Sequence, residues 1–371
     1  MTKRYSANKG TRFFCTFGAN KIHVNPIVLT QLHQLFIDWC GLPPQQVTQL
    51  PPSGSYRCYW RMQAGGRSVL GAYNADLREN DAFLSFTRSF HQAGLPVPAI
   101  YAERPEEGIY LLENLGSCML FDCVHGKSFD EPLKRLYEAS LEQLVDVQLK
   151  GRDCIDFSKC YPRAAFDLNS MMWDLNYFKY YFLKLVRIPF DEQALEDDFC
   201  RFTDYLLHER SDYFLFRDFQ SANIMIKEDK PYFIDYQGGR KGALQYDPAS
   251  LLFDAKVRLP KEARSQLINH YVDALSEKKR VFRTEFLHYY EGFVLIRLMQ
   301  AMGAFGFRGI VEKKPGFMES IPPALTLFSD VLEEWSLPVE LPELKACFHR
   351  MLSSNYLKEL LSTLPVEPSR Q

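Results

Sequence analysis

The sequence predicts an α+β chain of two lobes, a small β-rich lobe followed by a larger helical one. Three observations carry this expectation. Between residues 45 and 112, short strand-like runs are punctuated by glycine and proline, with one helical stretch among them. From about residue 130 the apolar spacing becomes helical and stays so, except around a hairpin near residues 213 to 235. The length, 371 residues, is more than one small core needs and suits two lobes. At 46% hydrophobic and 14% aromatic, the composition supports a large core and argues against disorder.

Taken in order, residues 1–25 are mixed and read as an N-terminal tail. Asn25-Pro26 reads as an N-cap followed by a first-turn proline. The helix it opens runs to about Cys40, with Ile27, Leu29, Leu32, Leu35 and Phe36 as its apolar face, and Gly41-Leu42-Pro43-Pro44 stops it. Residues 45–73 read as three strands, separated by Pro51-Pro52-Ser53-Gly54-Ser55 and by the turn Ala64-Gly65-Gly66. Residues 77–92 look helical and carry Glu79. Pro96-Val97-Pro98 breaks the chain, and two more strands follow near 99–102 and 108–112. The segment Leu112-Glu113-Asn114-Leu115-Gly116 then joins the parts. The expected division is therefore a tail (1–25), a β-rich lobe (26–116) and a helical lobe (117–371), with no internal repeat.

The net charge is −2 with no basic block, so nucleic acid is not an expected partner. No run of about 18 apolar residues exists, so no membrane partner is expected either. Met-Thr-Lys-Arg-Tyr-Ser at the start lacks an apolar signal core. Nine cysteines, an odd number with no Cys-x-x-Cys, suggest reduced thiols and a cytoplasmic location. Cys118 with Cys123, or Cys154 with Cys160, has no accompanying histidine pattern that would make a zinc site.

The chemistry concentrates in Phe216-Arg217-Asp218-Phe219-Gln220-Ser221-Ala222-Asn223 and in Asp235. A tight loop carries Asp218 and Asn223 past one point, and a short hairpin returns Asp235 to it. This is the layout of a phosphoryl-transfer loop. Asp218 is the candidate base, receiving the proton of a substrate hydroxyl. Asn223 and Asp235 supply hard oxygen donors suited to Mg²⁺ on ATP phosphates.

Ser53, Gly54 and Ser55 form a small-residue loop whose peptide N–H groups can approach phosphate oxygens. In the strand that follows, Arg57, Tyr59 and Arg61 alternate with Cys58, Trp60 and Met62 and so share a face. Main-chain groups of Glu113 to Gly116, Leu115 included, suit the edge of an adenine. Asp247-Pro248-Ala249 reads as an N-cap and helix start, and Asp254 as a mid-helix polar contact. For the acceptor, the aromatic and polar run through Trp173, Asp174, Asn176 and Tyr177 suits a sugar or an amphipathic core helix. Arg297 and Arg308, in a Gly-rich late segment, suit phosphate or polyol recognition.

The loop from Phe216 to Asn223, Ile234-Asp235, Leu112 to Gly116 and Asp247 to Leu252 together resemble the aminoglycoside phosphotransferase and choline kinase superfamily. The resemblance spans about residues 45 to 310 and implies a bilobed protein-kinase-like fold. Ser55-Tyr56-Arg57-Cys58-Tyr59-Trp60-Arg61 and the Arg-Asp-Phe-x-Ser-x-Asn loop are most similar to bacterial anomeric sugar kinases, which act on N-acetylmuramate and N-acetylglucosamine. The resemblance implies an ATP- and Mg²⁺-dependent kinase acting on a small molecule, first the anomeric hydroxyl of a hexose or N-acetylhexosamine. A choline or aminoglycoside kinase and a nucleotide-binding pseudokinase scaffold stand as alternatives. Two departures matter. Phe216 stands where the superfamily usually has histidine. The third strand, Ser68 to Asn74, has no lysine to pair with a helix glutamate, which leaves Glu79 without an evident partner and Arg57 or Arg61 as replacements.

Overall fold

The computed structural model describes residues 26–51 and 57–363; the expected tail, 1–25, and the Asn25 cap lie outside them. Helix α1 (Pro26–Cys40) opens the described chain, and Gly41, at φ +77°, ends it by donating its N–H to the Ile37 carbonyl. Its buried face is Val28, Leu32, Leu35 and Phe36. Ile27, expected in that face, is 60% exposed, because it falls a turn's fraction outside the stripe that Val28 occupies.

Strands β1 (Gln46–Gln49), β2 (Cys58–Ala64), β3 (Arg67–Tyr73), β4 (Ile100–Arg104) and β5 (Ile109–Glu113) form one antiparallel sheet in the order β1-β2-β3-β5-β4. Gly65 and Gly66, at φ +56° and +75°, make the two-residue turn that pairs Ala64 with Arg67. The period of two decides the packing. Ile109 and Leu111 of β5 join Trp60, Met62 and Val69 under α1, while Tyr110 and Leu112 face the opposite way. There they meet α2 (Leu77–Gln92), whose Phe83, Phe86 and Phe90 are buried. Asp76 caps α2, accepting from the N–H groups of Arg78 and Glu79 at 3.1 and 3.3 Å.

The core on the α2 side runs without a break into the helical part. That part contains α3 (Leu120–Val124), α4 (Glu131–Cys154), α5 (Leu168–Phe178) and α6 (Glu192–Leu207). The short strands β6 (Tyr213–Leu215), β7 (Ile224–Lys227), β8 (Lys230–Phe233) and β9 (Arg240–Gly242) follow, with β6 paired to β9 and β7 to β8. Then come α7 (Tyr246–Leu252), α8 (Lys261–Lys278), α9 (Arg283–Phe305), α10 (Ile321–Glu333), α11 (Pro342–Ser353) and α12 (Asn355–Ser362).

The late glycines lie in helix, as the spacing from residue 130 onward predicts. A Cβ on Gly303 would lie 2.7 Å from the Tyr177 ring, and one on Gly306 would overlap the Tyr181 carbonyl. Both are therefore close-approach residues that let α9 and its π-helical extension Gly306–Val311 lie against α5 and its extension Lys179–Leu183. The run Arg283–Val311 is long and apolar enough to cross a membrane by length and composition, but 61% of its apolar window is buried inside the lobe. The cysteines among the described residues are free thiols.

Candidate active site

Strand β6 leads directly into the loop. Phe216 and Arg217 donate their peptide N–H groups to the two oxygens of Asp247, at 2.8 and 3.0 Å, and Gln148 donates to the same carboxylate at 3.2 Å. Asp247 is fully buried, and burial pushes its carboxyl up to about 7 against the opposing hydrogen bonds. It is thus not the N-cap expected from the sequence. Helix α7 starts one residue before it, and its side chain points back to brace the loop.

Arg217 adopts φ +81°, a left-handed conformation costing on the order of 1–3 kcal/mol in a non-glycine residue. Several contacts hold it there. Its guanidinium lies over the Phe166 and Tyr246 rings, donates to the Tyr246 hydroxyl, and pairs with Asp174 at 2.6 Å. The turn projects Asp218, which is exposed, out of the core. Phe216 is buried edge-on against Phe219, Phe233 and Tyr236, so aromatic packing anchors the position where histidine was expected.

Asn223 ties the loop to the hairpin. Its amide nitrogen donates to the Asp218 carbonyl at 2.8 Å and lies 3.5 Å from Asp235 Oδ2. The β7–β8 hairpin turns through Glu228 and Asp229, both with positive φ, and returns Asp235 to the loop, itself at φ +67°. Ser221 donates to Asp254 at 2.9 Å. Asp254 lies past the end of α7, not in mid-helix, and clips the loop from that side.

Across the cleft, Arg57 and Glu79 form an ion pair at 3.2 Å, with Arg57 3% exposed and set over the Phe83 ring at 5.2 Å. Glu79 also accepts from Asn74 at 2.8 Å and from Gln237 at 3.0 Å, and Gln237 donates onward to Asp235 at 2.8 Å. A continuous chain of polar contacts therefore joins Arg57, Glu79, Gln237 and Asp235. Burial raises the Asp235 carboxyl; the Gln237 hydrogen bond opposes this, and the nearby Asp218 adds to it. A cation held here would relieve that strain, and the donor set fits a hard divalent ion. Among the described residues no three His, Cys, Asp or Glu side chains converge, so such an ion would take its other ligands from phosphate and water.

The other sequence candidates are spread more widely. Arg61 pairs across to Leu70 in β3; it is half-buried, with its Nε unpartnered. Glu113 accepts from Lys227 at 2.7 Å, linking the sheet to the hairpin, and Leu115 is buried beside Gly116, which turns at φ +95°. Ser53, Gly54 and Ser55 lie outside the described residues. Asp174 is fully buried with one oxygen on Arg217, so it braces the loop from α5 and does not face an open acceptor site. Arg297 is likewise buried, donating to Ser250 at 2.9 Å and Gln300 at 2.7 Å. Asn176 is half-buried on α5. Tyr177 stacks flat on the exposed Trp173 at 5.5 Å and touches Tyr181 and Phe307, while Arg308 pairs with Glu312 at 3.4 Å. A cavity of about 600 Å³ among Phe253, Arg264, Tyr290, Asp330 and Trp335 contains none of the candidates.

Gln237, Arg240 and Tyr246 escaped the sequence reading. Gln237 sits two residues after Asp235 and Tyr246 beside Asp247, which was the available signal. Arg240 was hidden because only the β6–β9 pairing brings it to the loop.

A small sheet with an Arg–Glu ion pair, set over a helical lobe whose loop presents an acid, an amide and a second acid, defines a bilobed phosphotransferase acting on a hydroxyl. The family model described as "Phosphotransferase enzyme family" matches residues 47–283, and the chain belongs to that family. It is 28% identical over 248 residues to the N-acetylmuramate/N-acetylglucosamine kinase of Pseudomonas aeruginosa, covering 65% of this chain and 70% of that one. It is 23% identical over 326 residues to the protein of the same name from Pseudomonas putida, covering 85% and 93%. Among solved structures, an amicoumacin kinase in complex with AMP-PNP, Ca²⁺ and Ami superposes with a TM-score of 0.59 at 13% identity, covering 86% of this chain and 96% of that one. A Plasmodium vivax ethanolamine kinase gives 0.58 at 12% identity, covering 84% and 91%. These two show the shared fold.

Proposed function

We propose that the chain is an ATP- and Mg²⁺-dependent sugar kinase that transfers the γ-phosphate to the anomeric hydroxyl of a hexose or N-acetylhexosamine. The observation that carries this reading is the Asn223 amide, which ties Asp218 and Asp235 to one point. The names of the curated relatives support the sugar class.

With the lobes taken as residues 26–116 and 117–371, nucleotide would enter the cleft between them. Main-chain groups of Glu113 to Leu115 would meet the adenine edge. Arg57, oriented by Glu79, gives a fixed guanidinium on the phosphate side, and Arg61 is the second cation on that face of β2. Asn223 and Asp235 would hold the divalent ion, whose chemistry is to neutralise and align the phosphate oxygens. Asp218 orients the acceptor hydroxyl in line with the γ-phosphorus and takes its proton as the new O–P bond forms.

On the acceptor side the exposed Trp173–Tyr177 stack offers an apolar platform for a sugar ring. A choline site would need an unpaired acid beside that platform; Asp174 is buried against Arg217, and Glu312, near Tyr177, is paired with Arg308 and Lys314. The test is ADP release over a panel of sugars, choline and kanamycin, with phosphorus NMR of the product. An acid-labile sugar 1-phosphate is expected; stimulation by choline or kanamycin and by no sugar would overturn the sugar class and leave the kinase reading standing.

A further inference from the structure

We infer that Arg240 is a specificity-determining residue that reads a carboxylate on the acceptor sugar. The inference rests on the sugar-kinase reading and narrows it to acidic sugars as preferred acceptors.

Arg240 is the cross-strand partner of Leu215, and Leu215 runs straight into Phe216-Arg217-Asp218. The strand pairing thus sets Arg240 beside the root of the candidate catalytic loop, close enough to feel Arg217, Tyr246, Asp174 and Asp218 electrostatically.

It forms no ion pair among the described residues, and Tyr246, Asp174 and Asp218 offset only part of the cost of burying it. The neighbouring Arg217, by contrast, is ion-paired to Asp174 and donates to the Tyr246 hydroxyl. Arg240 is only 8% exposed, and its one hydrogen bond runs from Nε to the Gly238 carbonyl at 3.0 Å. Its two terminal nitrogens donate to no group among the described residues, and no carboxylate among them pairs with it. A buried guanidinium without a counter-ion is costly, and Arg217 nearby adds to the cost. Neither local acid forms an ion pair with it: Asp174 gives one oxygen to Arg217 and keeps the other unpartnered, and Asp218 is the candidate base. An anionic group on the acceptor can, because the guanidinium edge is a two-donor fork matched to a carboxylate. The acceptor pair in the relatives' names differs in this one feature: N-acetylmuramate carries a lactyl carboxylate and N-acetylglucosamine does not.

The test compares kcat/KM for N-acetylmuramate and N-acetylglucosamine in the wild type and in Arg240→Gln and Arg240→Lys, with thermal unfolding as a check of folding. Wild type should favour the acid. Arg240→Gln should lower kcat/KM for the acid by roughly 10- to 100-fold, chiefly through KM, and affect the neutral sugar far less. Arg240→Lys should recover part of the acid's activity. A structural role, or one on the transferring phosphate, would lower both acceptors alike, and that result overturns the inference while leaving the sugar-kinase reading intact. Equal preference for the two sugars in wild type also overturns it. If wild type phosphorylates neither sugar but turns over another acceptor, the functional reading and this inference fall together. Should Arg240→Gln not fold, an unchanged acid preference in Arg240→Lys with an unchanged KM would refute the carboxylate fork.

Discussion

Replacing Asp247 by asparagine should separate what this carboxylate does for stability from what it does for turnover. Its oxygens accept from Phe216 N–H, Arg217 N–H and Gln148 Nε2. Burial nonetheless raises its pKa to about 7, so holding the ionised form above that pH costs the fold on the order of 4 kcal/mol. Asparagine removes that cost, but its NH2 must face one of the three donors and leaves it unpaired, at about 1–3 kcal/mol. At pH 8 the first exceeds the second, so the variant should be more stable than wild type by about 1–3 kcal/mol. At lower pH, proton binding sets the sign. Between about pH 4 and 7 the unfolded chain has released the Asp247 proton and the fold still keeps it, so native protein binds more protons and wild-type stability falls as pH rises. The asparagine side chain has no proton to release, so this fall should be absent from the variant. Acidification from pH 8 to pH 5 spans about two pH units below the native pKa and so about 2.7 kcal/mol, and wild type should gain about 3–5 °C in Tm relative to the variant, taking roughly 1–2 °C per kcal/mol for a chain of this size. Turnover should fall about tenfold or more at every pH, because one of the hydrogen bonds that fix Phe216 and the left-handed Arg217 is lost. Unfolding scans across pH together with steady-state kinetics make the measurement. A variant with the wild-type pH profile and wild-type kcat would refute both the buried-acid argument and the brace.

Three further outcomes are expected. Asp218→Asn should lower kcat by about 10² or more while nucleotide still binds, measured by ADP release and nucleotide titration; near-normal turnover in a folded variant removes Asp218 as the base. Asp235→Asn should raise the divalent-ion requirement sharply and Asn223→Ala more mildly, because a carboxylate holds a hard cation better than an amide; a metal titration showing no change in either rules out the pair as ligands. Arg57→Ala should raise the KM for ATP and lower kcat, with Arg61→Ala the weaker of the two, since Arg57 alone is ion-paired to Glu79; wild-type constants in both variants would place the phosphate grip elsewhere.

The fold was legible because its signals are local. Periodicity of two with Gly-Gly and Pro-x-Pro punctuation marked the strands of the small sheet, and the spacing of Leu32, Leu35 and Phe36 marked α1. Where the structure departs from that reading, the deciding information lies elsewhere in the chain. Nothing local says why Gly303 and Gly306 are glycine, and only the proximity of Tyr177 and Tyr181 shows them to be contacts between helices. Ile27 and Val28 are equally apolar, and only the direction of the sheet beneath α1 chooses between them.

The site divides along the same line. Spacing in sequence was enough to single out Asp218, Asn223 and Asp235, because one loop and one hairpin carry all three. What supports them is scattered over more than 150 residues: Asp174 on α5, Gln148 on α4, Asp247 on α7 and Glu79 on α2. Each is a polar residue in a helix, a pattern that usually means a solvated face. Asp174 and Asp247 contradict that default, being fully buried, and Gln148 is too. A buried polar side chain must find partners, and all of these find them on the loop, on one another's neighbours, or on the hairpin. The missing third-strand lysine has the same explanation. Glu79 needs a cation from the sheet, but the requirement fixes a position in space and not in sequence. Arg57, immediately ahead of β2, reaches the place from a neighbouring strand; the sequence offered Arg57 and Arg61 alike, and only the packing over Phe83 chooses Arg57 as the donor to Glu79.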